Sequence, residues 1–291
     1  MGGGAVVVGF LSGGTAFGSL VFVGGMVVLD LGLVAGAGSQ AIERRARGVE
    51  PYLGPSPFLV VLVAVITVYL LAVVVGLPLS AAGVSVARPV AELVLVALSA
   101  AGYAGITRLL VVGTEALSWA EIGLAGPGRR AGAELAWGAA LAGPVVLVTA
   151  VLSAAMVSAL GVTPPSPLPP TGTAWGLALN LLGGAVLAPI GEEILFRGVA
   201  TTAWVRGMGE RGGIVRAALL FALLHVLFVG GDTFNQAAGA AIVGFVGRLP
   251  VALVLGWAYI RRGSLWAPIG LHAAFNAVLL VLAELAVAPN G

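Results

Sequence analysis

The chain has 291 residues, of which 59% are hydrophobic and only 9% charged, with a mean hydropathy of +1.10 and a formal net charge of +2. A soluble domain carries about 25% charged residues, so the composition excludes an ordinary water-soluble globule and points to an all-α polytopic membrane bundle. With no cysteine, disulfides, thiolate metal sites and a Cys nucleophile are excluded, and the small net charge gives no reason to expect nucleic acid as a partner.

The first stretch, MGGGAVVVGFLSGG, lacks the basic n-region of a secretory signal and runs on too long for one. Ala35-Gly36-Ala37 looks like a cleavage site only locally, so a retained transmembrane helix is expected. Gly2 has no Ser or Thr at position 6, which argues against myristoylation. Apolar segments of about 20 residues or more follow one another near 5–36, 57–79, 90–112, 133–160, 173–205, 213–230, 236–260 and 265–287. They predict about eight membrane-spanning helices. The 45 glycines scattered through them are read as helix-packing residues, because small side chains let helices approach closely in lipid.

All 14 basic residues are arginine, and they decide the orientation. Arg44, Arg45 and Arg47 follow the first span; Arg108, Arg129 and Arg130 the third; Arg206, Arg211 and Arg216 the fifth; Arg261 and Arg262 the seventh. The opposite side offers Arg88. Cytoplasmic arginines therefore place both termini outside, in a multi-pass protein of the cell membrane. The segment 116–132, ALSWAEIGLAGPGRRAG, is expected to form an interfacial helix. The proline-rich loop 161–173 separates the first four helices from the rest. Asp30, Glu92 and Asp232 fall near predicted helix ends, where solvation accounts for them. Arg248 lies within a span and has no evident acidic partner.

The fifth span contains LAPIGEEILFRGVATTAW, residues 187–204. An ion at the bilayer centre costs roughly 2.5–3.5 kcal/mol on insertion scales, so Glu192, Glu193 and Arg197 need a compensating reason. Glu193 and Arg197 are four apart and share a helical face, whereas Glu192 is rotated about 100° away. Glu193 is then neutralised by Arg197, and Glu192 is the spare carboxylate. In a low-dielectric site a spare carboxylate is a candidate general base or acid. Pro189, just before it, removes a backbone hydrogen bond, and a kink there would open the helix toward a cavity.

Both histidines also fall in apolar spans, His225 in FALLHVLF and His272 in LHAAFNAV. Counted from Arg206, Arg211 and Arg262, residues Glu192, His225 and His272 lie roughly 21, 21 and 15 Å deep at 1.5 Å per residue. Asn276 shares the face of His272, one turn further on. A single intramembrane His or Asn is ordinarily an interhelical hydrogen-bond partner. An acid pair, two histidines and an amide at matched depth read instead as a site. Phe221, one turn before His225, is expected to be core packing that also walls it.

Two chemistries suit these residues. Glu192 with His225 could activate a water, with His272 and Asn276 donating to the oxyanion of the tetrahedral intermediate. Alternatively Glu192, His225 and His272 are acceptable ligands for zinc or another divalent metal, although no HExxH helix is present. Spacing alone leaves both open.

EEILFR, FALLH and HAAFN, in order on separate hydrophobic spans, resemble the three motifs of the CPBP family of intramembrane proteases. That group contains the type II CAAX prenyl endopeptidases and the bacteriocin-processing or self-immunity proteins, also called the ABI family. The resemblance covers residues 116–285. It divides the chain into N-terminal helices of unassigned role, 1–115, and a protease-like core, 116–291. It implies a peptidase acting on a membrane-associated peptide or protein, prenylated, lipidated or neither; such peptidases include metalloproteases and glutamate proteases that act without a metal, and the glutamate type with no resident cofactor is the expectation here. It also implies Glu192 as the base with His225, Glu193 and Arg197 as supporting residues, and His272 and Asn276 as oxyanion-side donors. A non-catalytic immunity or partner protein and a proton-coupled transporter are the alternative readings. Neither the oligomeric state nor the substrate is expected to be legible in one sequence.

Overall fold

A computed structural model of the chain describes residues 16–48, 51–84, 86, 88–124, 129–164, 166, 168–227 and 229–287. Helices α1 (Ala16–Arg47), α2 (Pro57–Ala81) and α3 (Arg88–Thr107, continuing in a π turn Arg108–Val112) are followed by α4 (Arg129–Ala140) and α5 (Ala142–Leu160). Then come α6 (Ala174–Asn180), a π segment Leu181–Leu187, α7 (Ala188–Glu193), a second π segment Ile194–Thr201 and α8 (Thr202–Leu224). Helices α9 (Phe234–Arg262) and α10 (Trp266–Val287) complete the order. The described residues contain no strand.

Seven of the helical stretches are long and apolar enough to cross a membrane, making this a polytopic helical membrane protein. One of them, Ala174–Leu224, has 51 residues and would measure about 77 Å if straight, far more than a bilayer core of about 30 Å. It does not run straight. Gly209 has φ +81° and breaks α8, and a Cβ on Gly213 would lie 2.6 Å from the backbone nitrogen of Val205. The rings of Phe196 and Phe221 touch, 5.1 Å between centroids. The chain therefore folds back at Gly209 into an antiparallel hairpin, and this stretch supplies two of the eight expected passes.

The chain divides into two compact units, the first formed by 1–87 with 98–118 and the second by 88–97 with 119–291. In the first, Asp30 lies in the middle of α1 rather than at a helix end, and its Oδ2 accepts from the Thr67 hydroxyl at 2.9 Å. Solvation is thus replaced by an interhelical hydrogen bond, as burial in an apolar bundle requires. The helix α1 extends to Arg47, so its arginines lie in the last turn and not in a loop. Residues 5–15 of the expected first span, and Gly2 before it, lie outside the described residues. Residues 113–123 form turns instead of the expected interfacial helix, with Glu115 at φ +56° and Gly123 at φ +79°. Their apolar side chains explain this: Leu117 and Ile122 are fully buried, which a surface-lying helix would not permit. Residues 125–128 of the same expectation are outside the described part.

In the second unit, α4 and α10 pack backbone to backbone. A Cβ on Gly138 would meet the Ala267 carbonyl oxygen at 1.9 Å, and one on Gly270 the Leu135 carbonyl oxygen at 2.1 Å. The two glycines are reciprocal, so α10, which carries His272 and Asn276, is seated only as closely as both permit. Gly270→Ala is expected to lower thermal stability in detergent by about 1–3 kcal/mol and to displace α10. A substitution with no loss of melting temperature would show that the helices part freely.

At the arginine-bearing end, Arg262 holds Glu134 through two hydrogen bonds of 2.6 and 2.8 Å and lies over the Trp137 ring at 4.9 Å. Arg206 pairs with Glu121 at 2.9 Å. At the other end, Glu284 accepts from the backbone of Thr171 and Thr173 at 2.9 and 3.0 Å and so pins the proline-rich loop. Glu92 forms an ion pair with Arg88 one turn earlier, 2.9 Å apart.

Candidate active site

The centre of the second unit is a buried ion pair. Arg197 Nη1 donates to Glu193 Oε1 at 3.0 Å, and the two side chains are 1% and 0% exposed. The i,i+4 spacing brings them together, and two further contacts hold the guanidinium, whose Nε has no hydrogen-bond partner among the described residues. Nη2 donates to the Ala252 carbonyl of α9 at 3.3 Å, and the plane lies 4.5 Å from the Phe221 ring centre. Phe221 is also edge-on to Phe196 and touches both imidazoles, with centroids 4.2 Å from His225 and 5.8 Å from His272. It is therefore the shared wall of the cluster and more than core packing.

Glu193 Oε1 accepts a second hydrogen bond, from His272 Nδ1 at 2.7 Å. Because a carboxylate already paired with Arg197 acts only as acceptor, the proton sits on Nδ1. His272 Nε2 then faces Glu192 Oε2 at 3.8 Å. His225 repeats the pattern on another helix: its Nδ1 donates to the Phe221 carbonyl at 2.8 Å, and its Nε2 faces Glu192 Oε2 at 3.5 Å. Both imidazoles thus have their tautomer fixed from behind and turn their second nitrogen toward one carboxylate oxygen. Glu192 Oε2 is buried and accepts no hydrogen bond among the described residues.

His225 does not lie in the middle of a helix, as the apolar run around it suggests. It is the residue that ends α8, and residues 225–227 form a turn. The last carbonyls of a helix lack intrahelical donors; the Phe221 carbonyl accepts from both the His225 backbone N–H and its ring. Helix termination is what aims the imidazole inward.

Pro189 does not interrupt the helix. The chain stays helical with π turns on both sides of α7, the wider turn accommodating a ring that an α-helix would force against the preceding carbonyl. Asn276 Nδ2 donates to the Gly184 carbonyl in the first π segment at 2.8 Å, so this amide is engaged with backbone. The structure therefore brings Glu192, Glu193, Arg197, His225 and His272 into one cluster and places Asn276 at its edge.

Arg248 has neighbours that the sequence could not supply. It lies one turn before Ala252 on α9, its Nη1 donates to the Gly244 carbonyl at 2.9 Å, and Glu192 is the carboxylate within its electrostatic reach. A Cβ on Gly244 would meet Arg248 Nη1 and Val226 Cγ1, each at 3.0 Å, so a glycine makes room for the guanidinium beside the residue after His225. The two charges are 56 positions apart in the chain, and no spacing rule connects them.

Among the described residues, no group of three or more His, Asp or Glu side chains is arranged to hold a metal ion.

The fold and these residues define a class: polytopic helical membrane proteins with an acid–imidazole cluster buried among their spans. Residues 174–278, which carry every member of the cluster, match the family model described as "Type II CAAX prenyl endopeptidase Rce1-like". Over this segment, about a third of the chain, the protein is similar to a family of membrane peptidases. No curated protein and no solved structure shows a significant match.

Proposed function

We propose that this chain is an intramembrane endopeptidase in which Glu192 and His225 activate a water to hydrolyse a peptide bond of a membrane-associated, prenylated or lipidated substrate. The observation that carries the reading is the single buried Glu192 oxygen lacking a partner, faced by two imidazole nitrogens at 3.5 and 3.8 Å. Those separations lie beyond ordinary hydrogen-bond lengths, so the oxygen keeps its accepting capacity for a solvent molecule.

The chemistry then runs as follows. Glu192 takes a proton from the water as its oxygen bonds to the scissile carbonyl carbon, giving a tetrahedral oxyanion. His225 orients the water through Nε2. As the carbon–nitrogen bond breaks, the proton taken up by Glu192 passes to the departing amine, leaving a carboxyl and an amino terminus. His272, with its Nδ1 proton donated to Glu193, presents Nε2 to the water as an acceptor on the other side. Arg197 and Glu193 hold this arrangement in place and do not touch the substrate. The arginine-bearing helix ends face the cytoplasm, and the substrate enters from that side.

Purified protein reconstituted with a prenylated peptide in water enriched in oxygen-18 should yield a new carboxyl group carrying one labelled oxygen. Intact peptide after prolonged incubation, across lipidated and unlipidated peptides, would overturn the reading. No metal takes part in the proposed step. Exhaustive chelation is therefore expected to leave the rate unchanged, and elemental analysis to find less than stoichiometric zinc. Loss of activity on chelation with recovery on adding zinc would replace the mechanism.

A further inference from the structure

The resemblance gives Asn276 to the oxyanion, but one of its two amide hydrogens is donated elsewhere, and the reason lies nine positions before Glu193. In the π segment Leu181–Leu187, the Ala188 N–H reaches back five residues to the Gly183 carbonyl. The next acceptor in that register is the Gly184 carbonyl, which awaits the N–H of residue 189. Residue 189 is proline and has none. The carbonyl is thereby orphaned inside an apolar bundle, where an unpaired peptide oxygen costs the full desolvation penalty. Asn276 Nδ2 donates to this oxygen at 2.8 Å.

We propose that Asn276 is a positioning residue that replaces the hydrogen bond Pro189 cannot make, fixing the π-to-α transition that sets the angle of the Glu192 helix. Helix α10 then grips that helix at two places, through His272 on Glu193 at 2.7 Å and through Asn276 on the Gly184 carbonyl. Pro189, Gly184 and Asn276 form one unit: proline ends the π register, the freed carbonyl marks where, and the amide locks it. Glu192 lies three residues beyond Pro189, within the six-residue α-helical segment between the two π segments. A shift in that turn moves Glu192 Oε2 relative to both imidazoles.

This rests on the peptidase reading for its kinetic effect only; the hydrogen-bond replacement stands on its own. The test is a double-mutant cycle of Asn276→Ala and Pro189→Ala in the full chain. Alanine at 189 supplies a backbone donor, from its own N–H in the π register or from residue 188 if the segment relaxes to α, so Gly184 no longer depends on Asn276. Asn276→Ala alone is expected to lower kcat roughly 10- to 100-fold, to displace the pH–rate profile, and to lower the melting temperature in detergent. In the Pro189→Ala background, the same change is expected to cost no more than about twofold in kcat and to leave the melting temperature of Pro189→Ala unaltered.

An equal loss of kcat in both backgrounds, with melting temperature and pH profile unchanged, would overturn the proposal, since a group bonded to the transition state behaves that way. If Asn276→Ala alone does not fold, folding of the double variant supports the proposal and its failure refutes it. Wild-type protein without peptidase activity would defeat the proposed function, while the melting-temperature cycle would still decide the role of Asn276.

Discussion

Arg197→Ala is expected to cost about 3–5 kcal/mol of stability, the usual penalty for removing one partner of a buried ion pair and leaving the other uncompensated. Glu193 would keep its His272 contact but lose the charge 3.0 Å away, and the Ala252 carbonyl would lose a donor. The expected readout is a chain that melts many degrees lower in detergent or does not accumulate in the membrane. Replacing both members, Arg197→Met with Glu193→Gln, should be milder than Arg197→Ala alone, because no lone charge remains buried. A wild-type melting temperature for Arg197→Ala would show that the pair is solvated and would remove it as the anchor of the site.

The adjacent carboxylate predicts the opposite combination. Glu192→Gln keeps the side chain's shape and removes no partner of the Arg197 pair, so the protein should fold and melt near the wild-type temperature. Its kcat should fall roughly 10²–10⁴-fold, the range lost with a positioned general base. His225→Ala should show a similar kinetic loss with a modest drop in stability, because the Phe221 carbonyl loses a ring donor at 2.8 Å. Measuring single-turnover cleavage and thermal melting on both variants separates the roles. An inactive but stable Glu192→Gln beside an unstable Arg197→Ala is the expected pattern. Unaltered cleavage by Glu192→Gln would assign the chemistry to another group.

The site was legible to the extent that it depends on spacing and depth. The Glu193–Arg197 pair follows from an i,i+4 interval, and the convergence of Glu192, His225 and His272 from counting residues inward from arginines. Contacts set by helix ends and by register were not legible. His225 is aimed inward by the termination of α8, which looked like the middle of an apolar span because Val226 and Leu227 continue the run. The π segments on either side of α7 leave no periodic trace over so few residues, so the orphaned Gly184 carbonyl and its amide partner emerge only in three dimensions. Asp30 reads as a helix-end residue because hydropathy ends the first span near residue 36; α1 continues to Arg47 and holds Asp30 against Thr67. The turns over 113–123 escaped for the same reason that Arg248 did, since burial against distant residues overrides local composition.

The most direct measurement is the profile of peptides in membranes of cells producing wild-type protein or Glu192→Gln at equal abundance. The account predicts at least one membrane-associated protein that is shortened only with the wild type, together with the matching released peptide. Identical profiles from the two cells, with both proteins folded and inserted, would contradict it.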